Sequence, residues 1–301
     1  MILPRLRFAI FIALLAVVAL HSPAARAGEP DGEATTQNGD APADATFQST
    51  SVWPPEMELI NSYRAAAGVR PAEINPSLDS SASSHVRYYD ANRGDPSLAG
   101  MGLHSETPGR PGFTGATMGN RARAAGYSGG TVTENAGYGS FAGAVDWYMN
   151  SVNHRLPLIH PSALDMGYAE SPESRFSIVS VGLRHESVQS PSLYPGPDAQ
   201  GVPTSWDGSE TPNPAPGLAR PLGYPITVAF GVSQRVAWSS FSLSGPEGEP
   251  VEFVVSRTDW MRAAAIIPTR PLQPGATYTV QVEATVDGKP FSKEWSFTTA
   301  G

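Results

Sequence analysis

Cysteine is absent from the 301 residues. That excludes disulfides and an N-terminal lipid anchor, and it leaves folding to hydrophobic burial, which calls for a domain above about 100 residues. Basic residues are few. Lys plus Arg total 20 against 28 Asp plus Glu, a formal charge of −8, so phosphate backbones are not attracted and nucleic acid is not expected as a partner. Long apolar runs are missing too. The stretch Phe8–Leu20 holds thirteen residues, short of the ~20 that cross a bilayer. Arg5 and Arg7 precede it and Ala25-Arg26-Ala27 follows, the pattern of a secretory signal cleaved after Ala27. The chain is therefore expected outside the cell, with no transmembrane segment in its mature form.

What is plentiful is Gly (30) and Pro (29), and both are concentrated. Residues 28–52 are polar with few apolar anchors and read as a disordered spacer. Residues 188–221 carry eight prolines from Pro191 to Pro221 and read as a semi-extended, protease-sensitive linker. Between them, residues 53–187 form a first domain, and residues 222–301 form a second.

The first domain opens with helical spacing. Met57, Ile60 and Tyr63 or Arg64 recur at intervals of three or four after Pro54-Pro55 and end at Gly68. Leu78, Ala82, Val86 and Tyr89 share a face over Ser77–Asn92; a short helix fits Met118–Ala125. A fourth starts at the N-cap Ser140 and aligns Phe141, Val145, Tyr148 and Val152. The period then becomes two in Met166–Tyr168 and Phe176–Leu183, joined by a turn at Ser171–Ser174. Helices over a small antiparallel sheet make an α+β domain. The second domain is all strand: 226–230, 241–243, 251–255, 264–267, 278–284 and 295–298 are short and β-rich, with a turn at Asp287-Gly288.

Four segments of the first domain occur in the order seen in the CAP superfamily of cysteine-rich secretory, antigen 5 and pathogenesis-related proteins. They are Leu59–Gly68, His104-Ser-Glu106, Glu134-Asn135 and Met149–Arg155, with Met166-Gly-Tyr-Ala closing the match. The domain resembles the disulfide-free bacterial branch over about 130 residues. That resemblance implies a three-layer α-β-α sandwich with a groove. It also implies that His104, Glu134 and His154 gather there, and that some relatives bind zinc at such a place. The slot of the family's second glutamate falls on Ser151. Pro271–Val280 and Trp295–Thr299 resemble bacterial immunoglobulin-like domains, so the second domain is expected to be a β-sandwich acting as a spacer or adhesive module.

Three readings of the groove cluster His104, Glu134, Ser151 and His154 stay open. It is a polar network that orders the groove of a non-catalytic binding protein. It holds a divalent cation such as zinc on His104, Glu134 and His154, two imidazoles and one carboxylate. Or that cation activates water in an extracellular hydrolase. No cofactor is required by the motifs. The groove would take an extracellular small molecule, a lipid or a cell-envelope polymer. Ser151 and His154 stand three apart, the spacing of a nucleophile and its base, but no third group is evident to orient the histidine. Gly126-Tyr-Ser-Gly-Gly130 matches the nucleophile-elbow pattern only literally, since a helix precedes it and no helix follows. His85 and His160 are expected to pack, His185 to be solvated, and Arg155 to meet a carboxylate or solvent.

Overall fold

The computed structural model describes residues 55–188 and 190–301. The expected signal (1–27) and spacer (28–52) lie outside the described residues.

The first half runs α1 (Pro55–Ala66), β1 (Glu73–Ile74), α2 (Pro76–Ala91), two 3₁₀ turns at Pro96–Leu98 and Gly100–His104, and α3 (Met118–Ala124). It continues with β2 (Thr131–Tyr138), α4 (Phe141–Met149), α5 (Arg155–Ile159), β3 (Ala163–Glu170) and β4 (Phe176–Leu183). The sheet order is β1-β3-β4-β2. β1 runs parallel to β3, and the other pairs are antiparallel. β4 is buried along its whole length because both of its faces are covered. Phe176 and Ile178 meet Ala82 and Val86 of α2. Val179, Val181 and Leu183 meet Met57, Val145 and Leu156 from the helices α1, α4 and α5. The result is the expected α-β-α layering.

Local chemistry explains the helix ends. Asn75 caps α2 by accepting from the backbone N–H of Ser77 and Leu78, and Pro76 occupies the first helical position. α4 starts at the Ser140 cap but stops at Met149 rather than running on through Val152. Asn150 donates its side-chain amide to Asp146 O, and Ser151 donates its hydroxyl to Tyr148 O at 2.8 Å, so both side chains compete for helix carbonyls. β2 has Glu134, Asn135 and Gly137 in its middle, poor strand formers; its eight-residue ladder with β4 overrides that preference.

Gly167 of β3 shows why a small residue closes this domain. A Cβ there would collide with the backbone of Leu78 and Asp79 in α2, and backbone cannot rotate away. Replacing Gly167 by alanine should cost about 3 kcal/mol; a denaturant midpoint equal to wild type would show that α2 does not lie this close.

The second half forms β5 (Ser192–Tyr194), β6 (Ala199–Val202), β7 (Ser205–Trp206), β8 (Leu222–Gly223), β9 (Ile226–Ala229), β10 (Val236–Ser244) and β11 (Phe253–Thr258). It ends with β12 (Ala263–Pro268), β13 (Thr277–Val286) and β14 (Lys289–Thr299). Two sheets, β10-β13-β14-β6 and β11-β12-β9-β5, enclose Ile226, Val228, Val280, Val282, Trp295 and Phe297. Asp287 and Gly288 both take positive φ at the β13–β14 turn, as a two-residue hairpin of this twist requires.

The Pro-rich segment differs from a free linker. β5 pairs with β9, β6 with β14, and β7 with β8. Proline lacks one donor but is tolerated on edge strands, and here the donors between prolines find sheet edges. The two halves also share apolar packing, since Val152, Leu156 and Ile159 belong to one buried cluster with Trp206, Leu222, Val232 and Met261. Among the described residues no helix is long and apolar enough to cross a membrane.

Candidate functional site

The edge strand β2 organises the site through its period of two. Glu134 points toward the α2–α3 layer and Asn135 toward α4 and α5. On the first side, Oε1 of Glu134 accepts from Nδ1 of His104 at 3.1 Å, and Oε2 accepts from Nη2 of Arg121 at 2.7 Å. On the second side, the Asn135 amide donates to the backbone carbonyl of His154 at 2.7 Å. The neighbouring Glu-Asn pair thus reaches two histidine segments from opposite faces of one strand.

Behind Glu134 lies a second buried carboxylate. Glu106 accepts from the backbone N–H of Thr114 and Gly115, from the Thr114 hydroxyl, and from Nδ1 of His85 at 3.0 Å. Nε2 of His85 lies 2.7 Å from the carbonyl of Leu103. Carbonyl and carboxylate only accept, so both nitrogens of His85 donate. Burial works against the charge of Glu134, but Arg121 beside it, and then the His104 hydrogen bond, outweigh that and bring its pKa to about 2. Glu106 is likewise held below its usual range: burial opposes ionisation, and the His85 and backbone hydrogen bonds prevail. Two carboxylates are thereby matched by the Arg121 guanidinium and a doubly donating His85.

Of the residues expected in one cluster, His104 and Glu134 touch directly. The His154 imidazole turns to a different carboxylate: its Nδ1 lies 2.8 Å from Oε1 of Glu210. Among the described residues no hydrogen bond joins His154 to His104 or Glu134. Ser151 Oγ is 3.5 Å from the same Nδ1, which already carries its proton toward Glu210, so the hydroxyl has no base to receive its own. The imidazole stacks on Tyr148 with centroids 5.5 Å apart and lies 4.7 Å from the Trp147 ring. Trp147 is 43% exposed and Tyr138 52%.

The other expectations resolve as follows. His85 is buried and part of the network. His160 is buried between Ser162 N and Met261 O, and His185 is exposed. Arg155 meets neither a carboxylate nor solvent. It is fully buried and donates to the carbonyls of Met149 and Pro225, because the second domain covers it. Gly126–Gly130 follows a helix and precedes a strand, the reverse of a nucleophile elbow. Sequence reasoning missed Arg121, Glu106 and Glu210 as partners. Only the lack of an acid at Ser151 hinted that one would come from elsewhere.

A divalent cation does not fit this donor set. Both Glu134 oxygens are occupied, Arg121 already supplies the positive charge, and only the Nε2 atoms of His104 and His154 remain, fewer than the three protein ligands of open zinc sites. Among the described residues no group of three His, Cys, Asp or Glu is placed to hold a metal ion.

Residues 57–181 match the family model of the cysteine-rich secretory protein family, CAP, and residues 219–299 match that of the bacterial Ig-like domain. Among solved structures, similarity is found to an extracellular protein containing a SCP domain from Bacillus anthracis str. Ames. It is 18% identical, with 43% of this chain and 39% of that chain covered, at a TM-score of 0.35. CopC from Methylosinus trichosporium OB3b is 16% identical, with 36% of this chain and 89% of that chain covered, at a TM-score of 0.25. No curated protein matches the chain.

Proposed function

A CAP domain over residues 57–181 is followed in this chain by a bacterial Ig-like domain over 219–299, and on that premise we propose that the protein is exported and binds an extracellular ligand without catalysing a reaction. The His/Glu cluster is the ordered wall of the binding groove. The state of Glu134 carries this reading. A general acid or base needs a free oxygen and a pKa near the working pH; Glu134 has neither, with its pKa at about 2 and both oxygens bonded to His104 and Arg121. The exposed Trp147 ring beside His154 supports a ligand with a ring face to stack, such as a component of the cell envelope.

Zinc tests the alternative, a metal-dependent hydrolase. At neutral pH, neither added zinc nor a chelator should shift the melting temperature of the full chain. A bound ion at a hundred times its dissociation constant would instead add about 2.7 kcal/mol of stability. A zinc-dependent rise that disappears in His154→Ala would overturn the non-catalytic reading and make a substrate screen the next step.

A further inference from the structure

No side chain of the CAP domain orients the His154 imidazole through a short hydrogen bond. The carboxylate of Glu210 does so, 56 residues along the chain. It accepts from Nδ1 at 2.8 Å, from the backbone N–H of His154 at 3.0 Å and from that of Val152 at 2.9 Å. Glu210 is only 3% exposed while Ser209 and Thr211 on either side are exposed, so the segment dips inward to insert this one side chain. Asn153 fixes the same segment by donating to the carbonyl of Pro212 at 2.8 Å. The serine at 151 is short and turns its hydroxyl back to Tyr148 O, leaving its surroundings free of a local carboxylate that would repel Glu210.

We infer that Glu210 is a positioning residue of the groove, contributed by the Pro-rich segment, that holds His154 with its proton on Nδ1 and its Nε2 lone pair toward solvent. A carboxylate only accepts, so the proton must sit on Nδ1. No described residue engages Nε2, and it is not among the buried unpartnered atoms. His104 stands in the same state, its Nδ1 on Glu134 and its side chain 15% exposed, as is that of His154. The protein therefore offers two imidazole acceptors, one set by β2 and one by a residue outside the CAP domain. Such a wall suits a ligand bearing hydroxyl or amide donors and disfavours an anion. That ligand class rests on the binding reading above; the tautomer of His154 does not.

Nitrogen-15 spectra of the full chain labelled on histidine, recorded at a pH where imidazoles are neutral, read the tautomer directly. His154→Gln identifies the resonance. In wild type the His154 proton is expected on Nδ1. In E210M, which keeps the volume and removes both acceptors, it should move to Nε2. In E210Q the amide oxygen restores an acceptor and should return it to Nδ1, a rescue that packing alone would not produce. A proton on Nε2 in wild type, or on Nδ1 in E210M, overturns the assignment. Should E210M not fold, the wild-type spectrum still decides. No ligand enters the readout, so the tautomer and the binding reading fail separately.

Discussion

Replacing Arg155 by alanine should lower the melting temperature by about 10 °C and split one unfolding transition into two. Arg155 follows His154 in the CAP domain, yet its guanidinium donates to Pro225 O at 2.6 Å and lies between the rings of Tyr194 and Tyr224, 4.9 and 4.8 Å from their centroids. Nε donates to Met149 O, the carbonyl that also accepts from the Tyr224 hydroxyl. The side chain is fully buried, and no carboxylate is among its hydrogen-bond partners. Two ring faces and two carbonyls hold a charge that is costly to bury. Removing the side chain leaves a cavity and the Pro225 carbonyl unpaired, together about 3–5 kcal/mol. Lysine should not rescue, because its ammonium cannot lie flat between two rings. Methionine should recover part of the loss by filling the same space. Limited proteolysis adds an independent readout: cleavage between Pro203 and Pro221 should accelerate in the alanine variant, since the segment loses the packed surface beneath it. An unchanged melting profile would show that the two domains are joined elsewhere.

The elements that sequence made legible share a feature. Their signals are local. The N-cap Ser140 acts within one turn. The apolar spacing of Leu78, Ala82 and Val86 reflects a single helix face, and the alternation in Phe176–Leu183 a single strand. The contact of His104 with Glu134 was legible only through the resemblance of the motifs to the CAP superfamily, which implies that the two gather. What was not legible depends on the second domain. Arg155 looks like a surface residue until the sandwich covers it, and the packing expected of His160 gave no sign that its partner would be Met261. Glu210 sits in a stretch whose prolines dominate its composition, with no periodicity to say that one carboxylate turns inward. Arg121 is a third case. On a seven-residue helix a charged residue is usually solvated, and its role as counter-ion follows only from where β2 places Glu134.

Acid should loosen the joint between the domains before it reaches the carboxylate network. His160 is fully buried, with Nδ1 accepting from Ser162 N at 3.0 Å and Nε2 donating to Met261 O at 2.8 Å. Ser162 in turn accepts from the backbone N–H of Val232, so this short loop bonds the second domain twice. Protonating Nδ1 would set a donor against the N–H of Ser162. Burial, and then the nearby charge of Arg64, therefore lower the His160 pKa from 6.5 to about 4, although the Met261 carbonyl works the other way. The unfolded chain takes up this proton first. Stability is full above pH 6.5, falls as pH drops toward 4, and loses no more from this group below that, a total of about 3 kcal/mol. Glu134 acts in a second, lower window. Its folded pKa is depressed from 4.5 to about 2, so its contribution is present above pH 4.5 and lost as pH falls through 2. Urea midpoints measured from pH 7.5 to 4.5 separate the two. In His160→Gln the amide still donates to Met261 O but does not titrate, and the slope across that range should flatten. A slope unchanged in that variant would assign the acid sensitivity to other groups and leave His160 as packing alone.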